Sequence, residues 1–281
     1  MLLNQYVTKF TKVILYTFVI GLIGLSMNTL YTKSACVIVH GTWASSSGWY
    51  QPGGQFFEAV VSTAQELQLV DEVVSFTWSG KLGYPSQCQA AQELADLINQ
   101  YDSVILIGHS HGVTVGMICC DIIFESDSDC NKTHKIDRFY ALGVPIDERV
   151  VCPNMDVIKK FYNLFSFGDL VQTVNGSCER VFTVRDNIVN ISVQFAGIHP
   201  SHNELHHPAI GKDLLKIDEY LAQKDLGNFK KFDFCQPGVI CFDEYKLPKY
   251  DFQLDQDRLL LTDKDAHRLM TLALFRGKIK P

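Results

Sequence analysis

Hydrophobic and polar positions along the chain form two kinds of segment that alternate. Short runs of apolar and β-branched residues, such as 36–39 and 104–107, are typical of strands buried on both faces of a parallel sheet. Between them lie segments with apolar positions at helical spacing, such as 56–69 and 87–100. Strands that alternate with helices of this length predict βαβ units and a parallel sheet.

The same alternation continues toward residue 223. It predicts four further strands, at 73–78, 136–142, 161–166 and 188–195. It also predicts helices from 111 to about 125 and from about 208 to 223. The remaining residues are polar and aromatic, and one more helix is expected there, at about 263–275.

A stretch without charged residues lies between Lys12 and Lys33, before the first predicted strand. Its apolar core, 13–25, could cross a bilayer as a helix, and the lysines before it would keep the N-terminus inside. A cleaved signal peptide is the competing interpretation, because small residues follow at 24–26. The main domain would then be either membrane-anchored outside the cytoplasm or secreted.

Length and composition fit one α/β domain with additions. The 281 residues are 47% hydrophobic and 20% charged. We divide them into 1–33 as anchor or signal, 34–224 as the α/β domain, and 225–281 as a cap or edge-packing extension. A net charge of -6 argues against a nucleic-acid partner. The oligomeric state is left open.

The nine cysteines include no C-x-x-C pair, so neither a zinc ribbon nor a regular disulfide framework is indicated. Cys235 and Cys241 flank a Pro-Gly turn. We hypothesise that they form a disulfide if the domain lies in an oxidising compartment.

The stretch 108–112, GHSHG, lies between a predicted strand and a predicted helix. A G-x-S-x-G sequence in this setting is a nucleophile elbow, a sharp turn that holds the serine above the sheet. The glycines are needed because a side chain there would collide with the neighbouring strand and helix, most strongly at Gly112. Ser110 is therefore the predicted nucleophile. The alternative is a serine-containing turn of another doubly wound protein.

His40-Gly41-Thr42-Trp43 follows the first predicted strand. In this position the backbone N–H of Thr42 would bind an oxyanion, together with the N–H of His111. Trp43 and Trp49 belong to an aromatic loop near these donors. They would either bind the acyl or aromatic part of a substrate or pack the loop down.

A nucleophile elbow predicts the chain order serine, acid, histidine. The acid is expected in a loop after a strand that follows the nucleophile strand. Asp169, after the strand 161–166, is our first choice. Asp147 is the reserve candidate, and Asp186 ranks third.

The general base is expected beyond the last predicted strand. Four histidines occur there: His199, His202, His206 and His207. We favour His202 because of its position in the stretch SHNEL before a helix. A metal cluster is the alternative, but no H-E-x-x-H spacing accompanies these histidines. We therefore expect neither a metal nor another cofactor.

Six motifs now occur in order across 36–221: HGTW, FTWSG, AAQEL, GHSHG, FSFGDLVQ and SHNELHHP. The chain resembles the lipase-like α/β-hydrolases with a GHSHG elbow, a group that includes bacterial serine esterases and lipases. The resemblance implies a doubly wound, mostly parallel sheet with helices on both faces. It also implies Ser110, Asp169 and His202 as nucleophile, acid and base. Many relatives carry a further glycine where this chain has Val113.

The expected activity is hydrolysis of a carboxylic ester through an acyl-enzyme. The expected substrate is an ester or a lipid-like small molecule. Acyl transfer and thioester hydrolysis would use the same residues. A non-catalytic, membrane-tethered binding protein on the same scaffold is the alternative outside enzymes.

Overall fold

A single eight-stranded sheet organises the chain in the computed structural model. The structure describes residues 32–126, 134–174, 180–183, 185, 187–195, 198–222, 229–233 and 239–242. The strands are β1 (Ser34–Val39), β2 (Glu72–Phe76), β3 (Ser103–His109), β4 (Ile136–Leu142), β5 (Ile158–Phe165), β6 (Ile188–Gln194), β7 (Phe229–Asp233) and β8 (Val239–Phe242).

The strand order is β2-β1-β3-β4-β5-β6-β7-β8. Each pairing from β2 to β7 is parallel, and β8 adds an antiparallel edge. The carboxyl ends of the parallel strands therefore lie along one edge of the sheet. In open α/β sheets, ligands bind outside these ends.

The helices connect the strands. They are α1 (Gln55–Glu66), α2 (Tyr84–Ile98), α3 (His111–Ser126), α4 (Leu170–Val174), α5 (Pro208–Leu214) and α6 (Ile217–Ala222). A short 3-10 helix at His202–His206 precedes α5.

Two hydrophobic clusters cover the two faces of the sheet. Alternate residues of each central strand supply them, with Val37 in the cluster that includes α2 and α3 and Ile38 in the cluster that includes α1 and α5. Residues 35–39 are completely buried, as their unbroken apolar run indicates for a central strand. The predicted doubly wound α/β-hydrolase fold, with helices on both faces of a mostly parallel sheet, is confirmed.

Two expectations about the C-terminal part of the domain were wrong. The helix predicted from 208 to 223 is two helices, α5 and α6. Leu214, Leu215 and Ile217 are all buried, and a break between the helices allows this wide set of apolar positions to face the sheet. Strand 188–195 is also not the last strand, because β7 and β8 follow it within the extension 225–281.

Several sequence expectations lie outside the described residues. They are residues 1–31 of the anchor or signal segment 1–33, the helix at 263–275, and Cys235 of the hypothesised disulfide. Among the helices that the structure describes, none has both the length and the apolar character needed to span a membrane.

Candidate active site

Ser110 lies at the sharp turn between β3 and α3. Its φ of 55° is in the left-handed region, which residues other than glycine adopt uncommonly and which stores strain at functional sites. The Ser110 N–H donates to the Leu142 carbonyl at 2.8 Å, which ties the turn to the end of β4. This geometry is that of a nucleophile elbow.

Close packing on both sides of the turn requires glycine. A Cβ at Gly112 would lie 2.5 Å from the His40 carbonyl oxygen and 2.7 Å from that of Val39. A Cβ at Gly108 would lie 2.9 Å from the backbone nitrogen of Val113. The first contact sets how closely α3 approaches β1, and the second shows how tightly Val113 fills the space beside β3.

Asp169 and His202 form a buried pair at the same edge of the sheet. His202 Nδ1 lies 2.7 Å from Asp169 Oδ2, and the Asp169 side chain is completely buried. The other carboxylate oxygen accepts from the Gln172 N–H at 3.2 Å. Because a carboxylate only accepts, Nδ1 carries a proton in this pair, and it is Nε2 that holds the lone pair whenever the ring is neutral.

The pair lies beside the elbow. A Cβ at Gly143, the residue after Leu142, would be 3.0 Å from Asp169 Oδ2 and 3.3 Å from His202 Nδ1. The ring of His109, which precedes Ser110, has its centroid 4.6 Å from the His202 ring. His109 Nε2 also lies 3.0 Å from the His202 carbonyl oxygen, so the nucleophile strand holds the loop of the histidine.

Further hydrogen bonds hold the loops that carry the pair. Ser201 and Glu204 form a capping box at the start of the 3-10 helix. The Ser166 hydroxyl donates to the Pro200 carbonyl. The buried Arg180 guanidinium donates to the carbonyls of Ser166, at 3.2 Å, and Asp169, at 3.3 Å. Both loops are thus joined to each other and to the core.

The turn after β1 lies directly against the serine. A Cβ at Gly41 would be 2.8 Å from Ser110 Cβ, so Gly41 and the following Thr42 border the elbow. The next residue, Trp43, also has a left-handed φ, of 58°, and its N–H donates to the Gly80 carbonyl at 2.9 Å. Thr42, the predicted oxyanion donor, therefore lies between a glycine packed against the elbow and a residue bound to Gly80.

His111 begins α3, immediately after Ser110. Its ring Nδ1 lies 3.1 Å from Gln87 Nε2, and an amide NH₂ group can only donate, so Nδ1 accepts. Gln87 is itself buried near the start of α2. This contact fixes the His111 side chain at the turn. The His111 backbone N–H is the first N–H of the helix.

The two predicted substrate-binding tryptophans differ in their surroundings. The Trp43 side chain is 42% exposed beside Thr42. Trp49 instead stacks on His206, with ring centroids 4.3 Å apart and planes 5° apart, and meets the edge of His109 at 5.6 Å. Trp49 packs its loop onto His109 and His206, which lie next to His202, the candidate base. Trp43 is instead exposed to solvent.

Three histidines around the elbow are held neutral by their surroundings. Burial lowers the pKa of His40. Burial, together with repulsion from His202 and His206, holds the pKa of His109 well below its usual value. Burial lowers the pKa of His206 to about 4. His202 is therefore surrounded by imidazoles that do not carry charge at neutral pH.

The other candidate acids and histidines lie elsewhere or have other partners. Asp147 forms a two-pronged ion pair with Arg149, at 2.8 and 2.9 Å, and is not brought to His202. His199 contacts Gln194, and His207 caps α5 by accepting from the Ala209 N–H. Asp186 is not among the described residues. Within the described part of the chain, no group of three or more His, Cys, Asp or Glu residues is arranged to hold a metal ion.

Sequence reasoning missed two residues of this site, His40 and His109. Both are buried histidines whose rings hydrogen-bond to backbone of neighbouring loops. Each adjoins a motif residue in sequence, His40 before Gly41 and His109 before Ser110, and that adjacency was the available signal.

A parallel sheet with a strained serine at a strand-to-helix turn, and an Asp–His pair beside it, is the arrangement expected of the α/β-hydrolase fold. A model of the alpha/beta hydrolase family matches residues 36–183. The chain belongs to the α/β hydrolase family, and a hydrolase is the class of protein that this membership supports.

One solved structure similar to this chain is phospholipase PlaB from Legionella pneumophila in complex with thio-NAD. The match has 13% sequence identity and a TM-score of 0.32, and it covers 58% of this chain and 38% of that chain. The matched region is therefore well under two thirds of the phospholipase's length. No curated protein matches the sequence.

Proposed function

We propose that the protein is a serine hydrolase that cleaves carboxylic esters through an acyl-enzyme. The observation that carries this proposal is the 2.7 Å contact between His202 Nδ1 and the buried Asp169, beside the strained turn of Ser110. Nucleophile, base and orienting acid are the three roles that such chemistry needs.

In the acylation step, His202 Nε2 removes the proton of the Ser110 hydroxyl as Oγ attacks the ester carbonyl carbon. Asp169 keeps the imidazole in the Nδ1–H tautomer and stabilises the imidazolium that forms. The carbonyl oxygen becomes an oxyanion, which the backbone N–H groups of Thr42 and His111 bind. Collapse of the tetrahedral intermediate breaks the bond to the alcohol, and His202 protonates the leaving oxygen.

In the deacylation step, water takes the place of the alcohol. His202 removes a proton from the water as its oxygen attacks the acyl carbonyl, and the same two N–H groups hold the second oxyanion. The proton then returns to Ser110 Oγ as the acid leaves. The ester and water are the reactants of this cycle, and the groups that act on them are side chains and backbone N–H groups of the chain.

The substrate we propose is an ester with an apolar acyl group. Trp43 is exposed and follows Thr42 directly, which supports a role for its side chain in binding the substrate next to the proposed oxyanion donor. An aromatic side chain at a rim binds apolar groups while its edge stays in contact with water. Trp43 would then contribute to the choice of acyl chain.

The test is hydrolysis of a p-nitrophenyl ester series, from acetyl to palmitoyl, by the purified protein and by Ser110→Ala. We expect the variant to keep its melting temperature and to lose turnover by at least about 10³-fold, because the nucleophile is removed. Ser126→Ala, at the far end of α3, is the matched control and keeps full activity.

A fluorophosphonate probe separates the remaining outcomes. Labelling at Ser110 in a protein that hydrolyses none of these esters would keep the nucleophile and reject the ester substrate. If the probe does not label the protein and no ester is hydrolysed, the result would favour a binding protein on a hydrolase scaffold. Full activity of Ser110→Ala would reject the mechanism.

A further inference from the structure

His40, at the end of β1, is completely buried and joins two turns of the site. Its Nδ1 lies 2.7 Å from the Gly41 carbonyl oxygen, and its Nε2 lies 3.1 Å from both the backbone nitrogen and the carbonyl oxygen of Trp78. In return, the Trp78 indole N–H donates to the His40 carbonyl at 2.7 Å. The ring is therefore fixed between the turn that carries Thr42 and the turn after β2.

These contacts select one tautomer of the neutral ring. With the proton on Nδ1, the ring donates to the Gly41 carbonyl and accepts from the Trp78 N–H. With the proton on Nε2, the ring could donate to the Trp78 carbonyl oxygen at 3.1 Å, but the Nδ1 lone pair would face the Gly41 oxygen at 2.7 Å and the Trp78 N–H would lose its acceptor. The Nδ1–H tautomer makes the shorter contact, to Gly41, and accepts from the Trp78 N–H.

The Gly41 carbonyl belongs to the peptide unit whose N–H is that of Thr42. In a trans peptide the C=O and N–H bonds point in opposite directions within one plane. The described residues contain no cis peptide bond. A bond that fixes the Gly41 carbonyl therefore also fixes the direction of the Thr42 N–H, one residue after the glycine that packs against Ser110 Cβ.

We propose that His40 is a positioning residue that orients the Thr42 N–H toward the oxyanion by holding the Gly41 carbonyl. The inference rests on the proposed function, since it needs an oxyanion for this N–H to bind. Electrostatic stabilisation of this kind depends on donors that are aimed before the charge develops. His40 itself touches neither the serine nor the substrate in this scheme.

Two substitutions separate this role from a structural one. His40→Asn places an amide NH₂ near the position of Nδ1, so it can still donate to the Gly41 carbonyl but cannot reach Trp78. His40→Gln places an amide oxygen near the position of Nε2, so it can accept from the Trp78 N–H but leaves the Gly41 carbonyl with only the longer bond from the Ala44 N–H, at 3.4 Å. The two variants thus keep opposite halves of the contact.

The readout is the ratio of kcat/KM for an oxygen ester to kcat/KM for its thionoester, in which sulfur replaces the carbonyl oxygen. Sulfur is the weaker hydrogen-bond acceptor, so an aimed N–H favours the oxygen ester. We expect His40→Gln to lower this ratio on the order of 10- to 100-fold, as loss of part of an oxyanion hole does. His40→Asn should keep the ratio within about threefold of wild type, a margin smaller than the effect of one lost donor.

Equal ratios in wild type and His40→Gln would overturn the proposal, and so would a larger loss in His40→Asn than in His40→Gln. Activity of Ser110→Ala, measured in parallel, would instead reject the proposed function. If either His40 variant does not fold, nitrogen-15 NMR of the wild-type imidazole decides. A proton on Nδ1 of His40 supports the proposal, and a proton on Nε2 overturns it.

Discussion

The backbone of Ser110 is held in a left-handed conformation by its neighbours. Its N–H is bound to Leu142, and Gly112 allows α3 to lie against β1. A strained residue of this kind costs about 1–3 kcal/mol and persists only where the surroundings impose it. None of these contacts uses the serine hydroxyl, which is why the alanine variant should keep the fold.

Asp169→Asn should reduce kcat on the order of 10²- to 10⁴-fold while leaving the fold intact. An amide at this position can donate to His202 Nδ1, which favours the tautomer with its proton on Nε2 and removes the lone pair that accepts the serine proton. Steady-state kinetics on the best p-nitrophenyl ester measure the effect.

The matched control is Asp147→Asn. Asp147 pairs with Arg149 in an exposed turn, so its neutralisation should change kcat by less than about twofold, as for a surface substitution away from the site. Equal losses in both variants, or a loss confined to Asp147→Asn, would remove Asp169 from the mechanism.

Ser110 could be predicted from sequence because its signal is local: a strand, a five-residue turn and a helix occur together. The contact between Asp169 and His202 followed from the chain order of this fold, although four histidines competed for the role of base. The contacts of His40 and His109 could not be predicted. They depend on backbone groups of other loops, at Trp78 and His202, that only the folded chain brings near.

The contact between α3 and β1 is the tightest constraint on how these two elements pack. A Cβ at Gly112 meets two backbone oxygens, and backbone atoms in a central strand cannot move aside as a flexible side chain can. Gly112→Ala should therefore lower the free energy of unfolding by about 1–3 kcal/mol, the usual range for overpacking. It should also displace Ser110 and lower turnover.

Gly48→Ala is the control, since a Cβ there has no atom within 4 Å. It should change the free energy of unfolding by less than about 0.5 kcal/mol. Urea unfolding of both variants tests the comparison. Similar stability of Gly112→Ala and wild type would mean that the helix does not need this close approach.

Elements with strong periodicity could be predicted, and weakly patterned ones could not. β1 and β3 are continuous apolar runs that match central, fully buried strands. β7 reads FKKFD, with two adjacent lysines, and it lies between β6 and the antiparallel β8 in the sheet. Such a short, polar segment lacks the pattern of a buried strand, so pairing rather than local sequence defines it.

The pH dependence of stability is a property of the whole molecule. His40, His109 and His206 are neutral in the fold, and their folded pKa values lie below the unfolded value of 6.5. The unfolded chain therefore binds more protons below pH 6.5, and stability falls as the pH falls. For His206 this loss extends down to about pH 4. Each such histidine contributes up to about 1.4 kcal/mol for each pH unit.

Chemical unfolding at a series of pH values from 7.5 to about 4.5, a range chosen to span the ordinary histidine pKa, measures this slope. His206→Gln removes one titrating group and should give a shallower slope than wild type, although its stability at pH 7.5 is lower through loss of the stack on Trp49. Parallel slopes for the two proteins would show that His206 is protonated equally in the folded and unfolded states.

The stack of Trp49 on His206 also means that the intrinsic fluorescence of Trp49 reports on the state of His206. An imidazolium quenches indole fluorescence by accepting charge from the excited ring, whereas a neutral imidazole does so weakly. The two rings are 4.3 Å apart and nearly parallel, so the emission of Trp49 depends on the charge and position of one histidine. Because His206 also lies 5.0 Å from His109, the residue before Ser110, a molecule that separated these rings would change the wavelength or intensity of the Trp49 fluorescence.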